Sequence, residues 1–198
     1  MIILASASPR RKELLSTLVN EFSVMPADID ETPYGLEKPE EYVVRMAREK
    51  AEAIANRSDL SHRDIIIASD TSVVLGDEIL GKPENFEHAQ QMLRALSGQK
   101  HQVMTSLCVC NGGLNRVATC NVVSEVLFRE ISNLEIEQYW RTGEPADKAG
   151  AYAIQGLGGM FVKHISGSFS AVVGLPVFEV TQLLSEFGIS PLKEKVRE

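Results

Sequence analysis

Apolar positions along the chain fall into short runs and helical stripes that alternate. Ile2, Ile3 and Leu4 form a first run, the small residues Ala5 to Ser8 a loop, and Leu14, Leu15 and Leu18 then recur at helical spacing. This predicts strand, tight loop and helix, with Ser8 as N-cap and Pro9 at the first helical position. Residues 22–25 predict a short strand. Tyr42, Val43, Met46, Ala47, Lys50 and Ile54 predict a helix of about four turns, opening at Pro39 and ending near Asn56. Ile65 to Ala68 is continuously apolar, as in a strand buried on both faces, and Asp70 and Thr71 come straight after it. Gly76-Asp77 predicts a hairpin turn whose return strand, Glu78 to Leu80, brings Gly81-Lys82-Pro83 back toward Asp70. Phe86, Ala89, Met92, Leu93 and Leu96 mark an amphipathic helix. Two alternating runs, 101–110 and 116–128, are joined by Asn111-Gly112-Gly113 and predict a long hairpin. Ser132 or Asn133 caps a further helix, on which Trp140 reads as packing. Residues 143–175 are glycine-rich and predict irregular backbone. Pro176 opens a last helix, and LKEKVRE at 192–198 reads as a charged, loosely held tail.

Strands alternating with helices over 198 residues predict an α/β protein of one compact unit or two lobes. Hydrophobic residues make up 44%, enough for a real core. The net charge of −7 argues against a general nucleic-acid binder, so any anion site must concentrate Arg and Lys locally. The cysteines Cys108, Cys110 and Cys120 form no CxxC pair, and their odd number argues against a disulfide framework. Cys108 and Cys110 share one strand face, as small hydrophobes. The first apolar run is short and precedes its positive charges, the reverse of a signal peptide, and no stretch is long enough to span a membrane. The expected location is cytoplasmic, with no membrane partner.

Candidate chemistry gathers at a few places. Arg10, Arg11 and Lys12 lie in the first turn of the first helix, where positive charge opposes the helix dipole and the free N–H groups favour an anion. Residues 27–33, ADIDETP, carry Asp28, Asp30 and Glu31: a solvated loop, or ligands for a hard cation beside a phosphate. If the preceding strand continued, Asp28 and Asp30 would share a face with Glu31 opposite. Lys50 lies on or beside an apolar stripe, where a lysine usually snorkels. Asp70, at the end of a buried strand, is either a turn residue or a desolvated acid in need of a partner. The glycine-rich region lacks the spacing of a P-loop, His62, His88, His101 and His164 lack metal-ligand spacing, and no GxSxG or nucleophilic-cysteine signature occurs. Covalent catalysis is therefore unsupported.

Four strings resemble the Maf family of nucleotide pyrophosphatases: SASPRRKELL, REKA, SDT…GKP and DKAGAYAIQG, the last resembling its dTTP/UTP-specific branch. The resemblance covers nearly the whole chain. One departure is Asp30, where relatives often have Glu. The resemblance implies a single domain over 1–198, with a mixed central β-sheet flanked by helices and two lobes around a cleft, Maf/ITPase-like. It implies hydrolysis of dTTP and UTP, and of modified pyrimidine nucleotides, to monophosphate and pyrophosphate. Ser8, Arg10, Arg11, Lys50 and Lys82 would bind phosphate. Glu31 and Asp70 would hold Mg²⁺ or Mn²⁺, with Asp70 as proton acceptor. Arg10, Thr71 and Gln155 would set base choice, although Gln155 could instead merely tie the glycine loop together. A homodimer is compatible with this reading. A different class of reading is a nucleotide-binding regulator of septum formation or cell division that does not hydrolyse its ligand.

Overall fold

The computed structural model describes residues 1–192, so most of the expected tail lies outside the described residues. The fold is α/β, with a seven-stranded mixed sheet flanked by helices. The strands are β1 (Ile2–Leu4), β2 (Ser23–Val24), β3 (Ile65–Leu75), β4 (Glu78–Leu80), β5 (Lys100–Asn111), β6 (Val117–Phe128) and β7 (Val162–Ser166). The helices are α1 (Pro9–Leu18), α2 (Pro39–Ala55), α3 (Phe86–Leu96), α4 (Asn133–Arg141), α5 (Phe169–Val173) and α6 (Val177–Glu186). The sheet order is β2-β1-β3-β5-β6-β7, with β4 paired to β3. β1 runs parallel to β2 and β3, while β3–β4 and β6–β7 are antiparallel.

The chain forms two compact units. The first comprises Met1–Asp70, Thr105–Val122 and the chain from Gly174; the second comprises Thr71–Met104 and Val123–Val173. In the first unit, strand alternation builds two cores. Leu4, Ile67, Leu107 and Val109 pack with Leu15 and Leu18 of α1 and with Val180, Leu183 and Leu184 of α6. Their neighbours Ile3, Ile66, Ala68, Cys108 and Cys110 pack with Ala47, Ala51 and Ile54 of α2. Burial on both faces is why these strands read as continuous apolar runs. The second unit has one core, in which Leu93, Phe128, Ile136, Tyr152 and Phe161 meet. Trp140 packs at its margin, its ring 6.1 Å from Phe86, as expected of a packing residue.

Four expectations need correction. The strand before the acidic loop is only Ser23–Val24, and residues 25–33 are irregular, so the alternating faces expected of Asp28, Asp30 and Glu31 do not form. Asp70 does not end its strand: β3 continues through Asp70 and Thr71 to Leu75, because Val73, Val74 and Leu75 pair with β4. The glycine-rich region is more regular than expected. It holds short 3-10 helices at Glu144–Asp147, Ala149–Ala151 and Leu157–Phe161, then β7 and α5, which its small residues concealed. Lys50 does not snorkel, as the site shows.

Candidate functional site

α1 begins as its sequence directs. Ser8 is the N-cap, accepting a hydrogen bond from the Arg11 N–H at 3.4 Å, and Pro9 follows at the first helical position. No acidic residue offsets the cations of the first turn. Arg10 is half-buried and makes no hydrogen bond or ion pair among the described residues. Arg11 turns inward: Nε donates to the Gly174 carbonyl at 2.9 Å and one Nη to Ser6 Oγ at 3.2 Å. Ser69 Oγ donates to the same carbonyl at 3.0 Å. Burial lowers the Arg11 pKa, and the negative charge of Asp70 works against that. Arg11 is thus partly committed to holding the helix start against the Gly174 turn.

Strand parity then places the acid. Ile66 and Ala68 face α2, so Asp70, two residues further on, faces α2 as well. The residue it meets there is Lys50, on the same stripe as Ala47, Ala51 and Ile54. Lys50 Nζ lies 2.7 Å from Asp70 Oδ1 and 2.6 Å from Glu31 Oε1. Lys50 and Asp70 are buried, at 9% and 8% exposure, whereas Glu31 lies at the surface. If Lys50 snorkelled out to water it would leave the buried Asp70 carboxylate unpaired, a larger cost than keeping the pair inside.

The acidic loop is pinned to α2 on both sides of Glu31. Tyr42 Oη donates to the Glu31 carbonyl at 2.9 Å, and Arg45 Nη2 donates to the Thr32 carbonyl at 3.1 Å. Arg45 also grips Glu37 with two bonds of 2.6 Å and lies 3.8 Å over the Tyr34 ring. Burial, and then the charges of Asp70 and Glu31, push the Tyr42 phenol up to about 12. Asp30 turns back on its own loop, accepting from the Thr32 N–H at 2.9 Å and Thr32 Oγ1 at 2.6 Å, which lowers its pKa. Sequence reasoning placed Tyr42 only on the stripe of α2 and missed Arg45; neither contact with the acidic loop was foreseen.

Lys50 is shared by two carboxylates, and Arg11 lies in the field of both. Mg²⁺ is commonly held by one or two carboxylates together with substrate phosphates and water. The oxygens of Glu31 and Asp70 therefore suit a hard divalent cation. Among the described residues, no group of three or more His, Cys, Asp or Glu is assembled to hold a metal without such help.

The remaining candidates belong to the second unit. Thr71 is half-buried in β3. Lys82 is exposed just past β4; Leu80 pairs with Val73, so the chain there runs toward the Thr71 end of β3. Gln155 is exposed and makes no hydrogen bond among the described residues, so it does not tie its loop together. That work falls to Glu144 and Tyr139. Glu144 accepts from Tyr139 Oη at 2.6 Å, Gly158 N at 2.9 Å and Leu157 N at 2.9 Å. Tyr139 Oη also accepts from Ala153 N at 3.2 Å. Burial raises the Glu144 pKa, but the three donors outweigh it and hold the carboxyl below its ordinary value. Both residues were missed because a Tyr on a helix and a Glu before a proline look ordinary in sequence. No helix among the described residues is long and apolar enough to cross a membrane.

The fold class is α/β. Residues 1–187 match the family described as Maf-like protein, and the chain belongs to that family. Relatives include a dTTP/UTP pyrophosphatase of Pseudoalteromonas atlantica, 50% identical over 191 residues, which cover 96% of this chain and 98% of that protein. The dTTP/UTP pyrophosphatase of Hahella chejuensis is 48% identical over 188 residues, covering 95% and 92%. That of Vibrio vulnificus is 48% identical over 186 residues, covering 94% and 98%. Among solved structures, the Staphylococcus aureus Ham1 protein aligns with 64% of this chain and 71% of its own, at 14% identity and a TM-score of 0.44.

Proposed function

We propose that this chain hydrolyses dTTP and UTP, and modified pyrimidine nucleotides, to the monophosphate and pyrophosphate, acting as a single domain over residues 1–198. The observation that carries the reading is the buried Lys50 shared by Glu31 and Asp70, in a chain about half identical to dTTP/UTP pyrophosphatases. A pure nucleotide binder needs cations but has no need of a buried acid beside them.

In this reading Ser8, Arg10, Arg11, Lys50 and Lys82 neutralise the triphosphate and make its phosphorus more electrophilic. Asp70 accepts a proton from the attacking water, while Lys50 fixes its carboxylate through Oδ1. The bond that breaks joins the nucleoside's own phosphate to the departing pyrophosphate. Glu31 and Asp70 would hold Mg²⁺ or Mn²⁺, which supplies charge neutralisation and polarisation of phosphoryl oxygens when bound. Arg10, Thr71 and Gln155 set base choice. Gln155 carries both a donor and an acceptor, which match the N3–H and carbonyl edge of uracil or thymine.

Asp70→Asn keeps the shape and removes the proton acceptor, so turnover should fall on the order of 10²–10⁴-fold while nucleotide binding persists. Pyrophosphate release from UTP, dTTP, CTP and GTP, with and without Mg²⁺, measures both rate and preference. Normal turnover by the Asp70→Asn protein would leave Asp70 a structural partner of Lys50 alone.

A further inference from the structure

We infer that Glu144 is a positioning residue for base selectivity, acting through the loop that carries Gln155. The inference rests on the proposal that Gln155 reads the base.

Gln155 makes no hydrogen bond among the described residues, yet the backbone on either side of it is held tightly. Two residues before it, Ala153 N donates to Tyr139 Oη. Two and three residues after it, Leu157 N and Gly158 N donate to the Glu144 carboxylate. Tyr139 Oη donates to Glu144 Oε1, so both anchors are one hydrogen-bonded pair. The loop closes on this pair so tightly that it requires glycine. A Cβ on Gly156 would overlap the Glu144 carboxylate, and one on Gly158 would stand 2.5 Å from Tyr139 Oη. Beyond the loop, Tyr139 is fixed by edge contact with Phe161, ring centres 5.1 Å apart, and α4 is fixed by its Ser132–Glu135 cap.

Such an arrangement has a purpose if the side chain at its tip must stand still without internal partners. A base-reading amide must be free to bond a ligand, so it cannot be steadied by bonds of its own. Ordering has to come from the backbone flanking it. A site built this way rejects an unmatched edge because its groups are already placed and would be left unpaired. Only an ionised carboxylate accepts all three donors here. With an amide in its place, the O could still accept from Tyr139 and Gly158, but the NH₂ would face the Leu157 N–H, donor against donor.

The test compares kcat/KM for UTP and CTP in wild type, Glu144→Gln, Tyr139→Phe, Gln155→Ala and the Glu144→Gln/Gln155→Ala double variant, with thermal melting showing each to be folded. Glu144→Gln should lower the UTP/CTP ratio roughly tenfold, the weight of one hydrogen bond, mostly through KM with kcat for UTP nearly unchanged. Tyr139→Phe should act in the same direction, and it carries the comparison if Glu144→Gln does not fold. The double variant should be no less selective than Gln155→Ala alone, since both act through one side chain. If Gln155→Ala loses selectivity while folded Glu144→Gln and Tyr139→Phe keep the wild-type ratio, the pair is a structural tie and the inference is overturned. Full additivity in the double variant overturns it as well. If Gln155→Ala itself keeps the wild-type ratio, the base-reading proposal fails and the inference falls with it.

Discussion

Lys50 concentrates the most chemistry in one side chain. Removing its ammonium while keeping its bulk, as in Lys50→Met, leaves the buried Asp70 carboxylate without its cation. The expected loss is about 3–5 kcal/mol of stability, visible as a lower urea midpoint, and adding Asp70→Asn should restore part of it. His101 is the residue with a pH signature. It is buried at 3% exposure, bonded through Nε2 to Tyr152 Oη at 2.9 Å, and its Nδ1 has no partner among the described residues. Burial pushes its pKa from 6.5 down to about 4, so the folded state favours the neutral ring. Its contribution is full above pH 6.5 and is lost as pH falls from there toward 4, on the order of 3 kcal/mol in all. His101→Gln should flatten the wild-type stability profile in that window; an unchanged slope would assign the acid sensitivity to other groups. At this scale the sequence showed which residues carry charge but not which are buried together. Asp70 read as a turn residue or a desolvated acid, and its partner stayed unnamed because Lys50 lies twenty positions earlier on another element. Glu144 looked inert because its three donors are two backbone amides and a tyrosine hydroxyl.

Elements were more legible than contacts. α1, with its Ser8 cap and Pro9, and the apolar stripe of α2 stand almost as periodicity and capping rules place them. The β3–β4 turn at Gly76-Asp77 also stands where its dipeptide indicates. What failed was the glycine-rich region, where 3-10 turns leave no period and β7 is only five residues long. α4 offers a direct check on capping. Ser132 Oγ accepts from Glu135 N at 3.3 Å while Glu135 Oε2 accepts from Ser132 N at 2.9 Å. Arg129, and then the Ser132 contacts, hold the Glu135 carboxyl down at about 2. Ser132→Ala should cost about 0.5–2 kcal/mol in chemical denaturation. Because α4 carries Tyr139, the variant should also loosen the amides of Ala153, Leu157 and Gly158 in hydrogen exchange.

At the scale of the whole molecule, β3, β5 and β6 each contribute residues to both compact units. Neither unit is a continuous piece of chain, and shared strands predict one cooperative unfolding transition. Trp140, the only tryptophan, reports on the second unit, while far-UV circular dichroism reports on both. The two signals should give coincident urea midpoints. Leu107→Ala, a cavity in the first unit's core, should shift the Trp140 transition by the same amount as the dichroism, about 2–5 kcal/mol. Separate midpoints would make the units independent. The eleven residues of β3 also limit how this chain can change length. Ile66, Ala68 and Asp70 share one parity, and Ser69 and Thr71 the other. Inserting or deleting a single residue upstream in the strand would exchange the two sets, presenting Ser69 or Thr71 to Lys50 and turning the acid to the opposite face. Substitutions along β3 can be absorbed one side chain at a time, but a frame change of one residue cannot. Length variation should therefore be tolerated at the Gly76-Asp77 turn and excluded from the part of β3 that precedes Asp70.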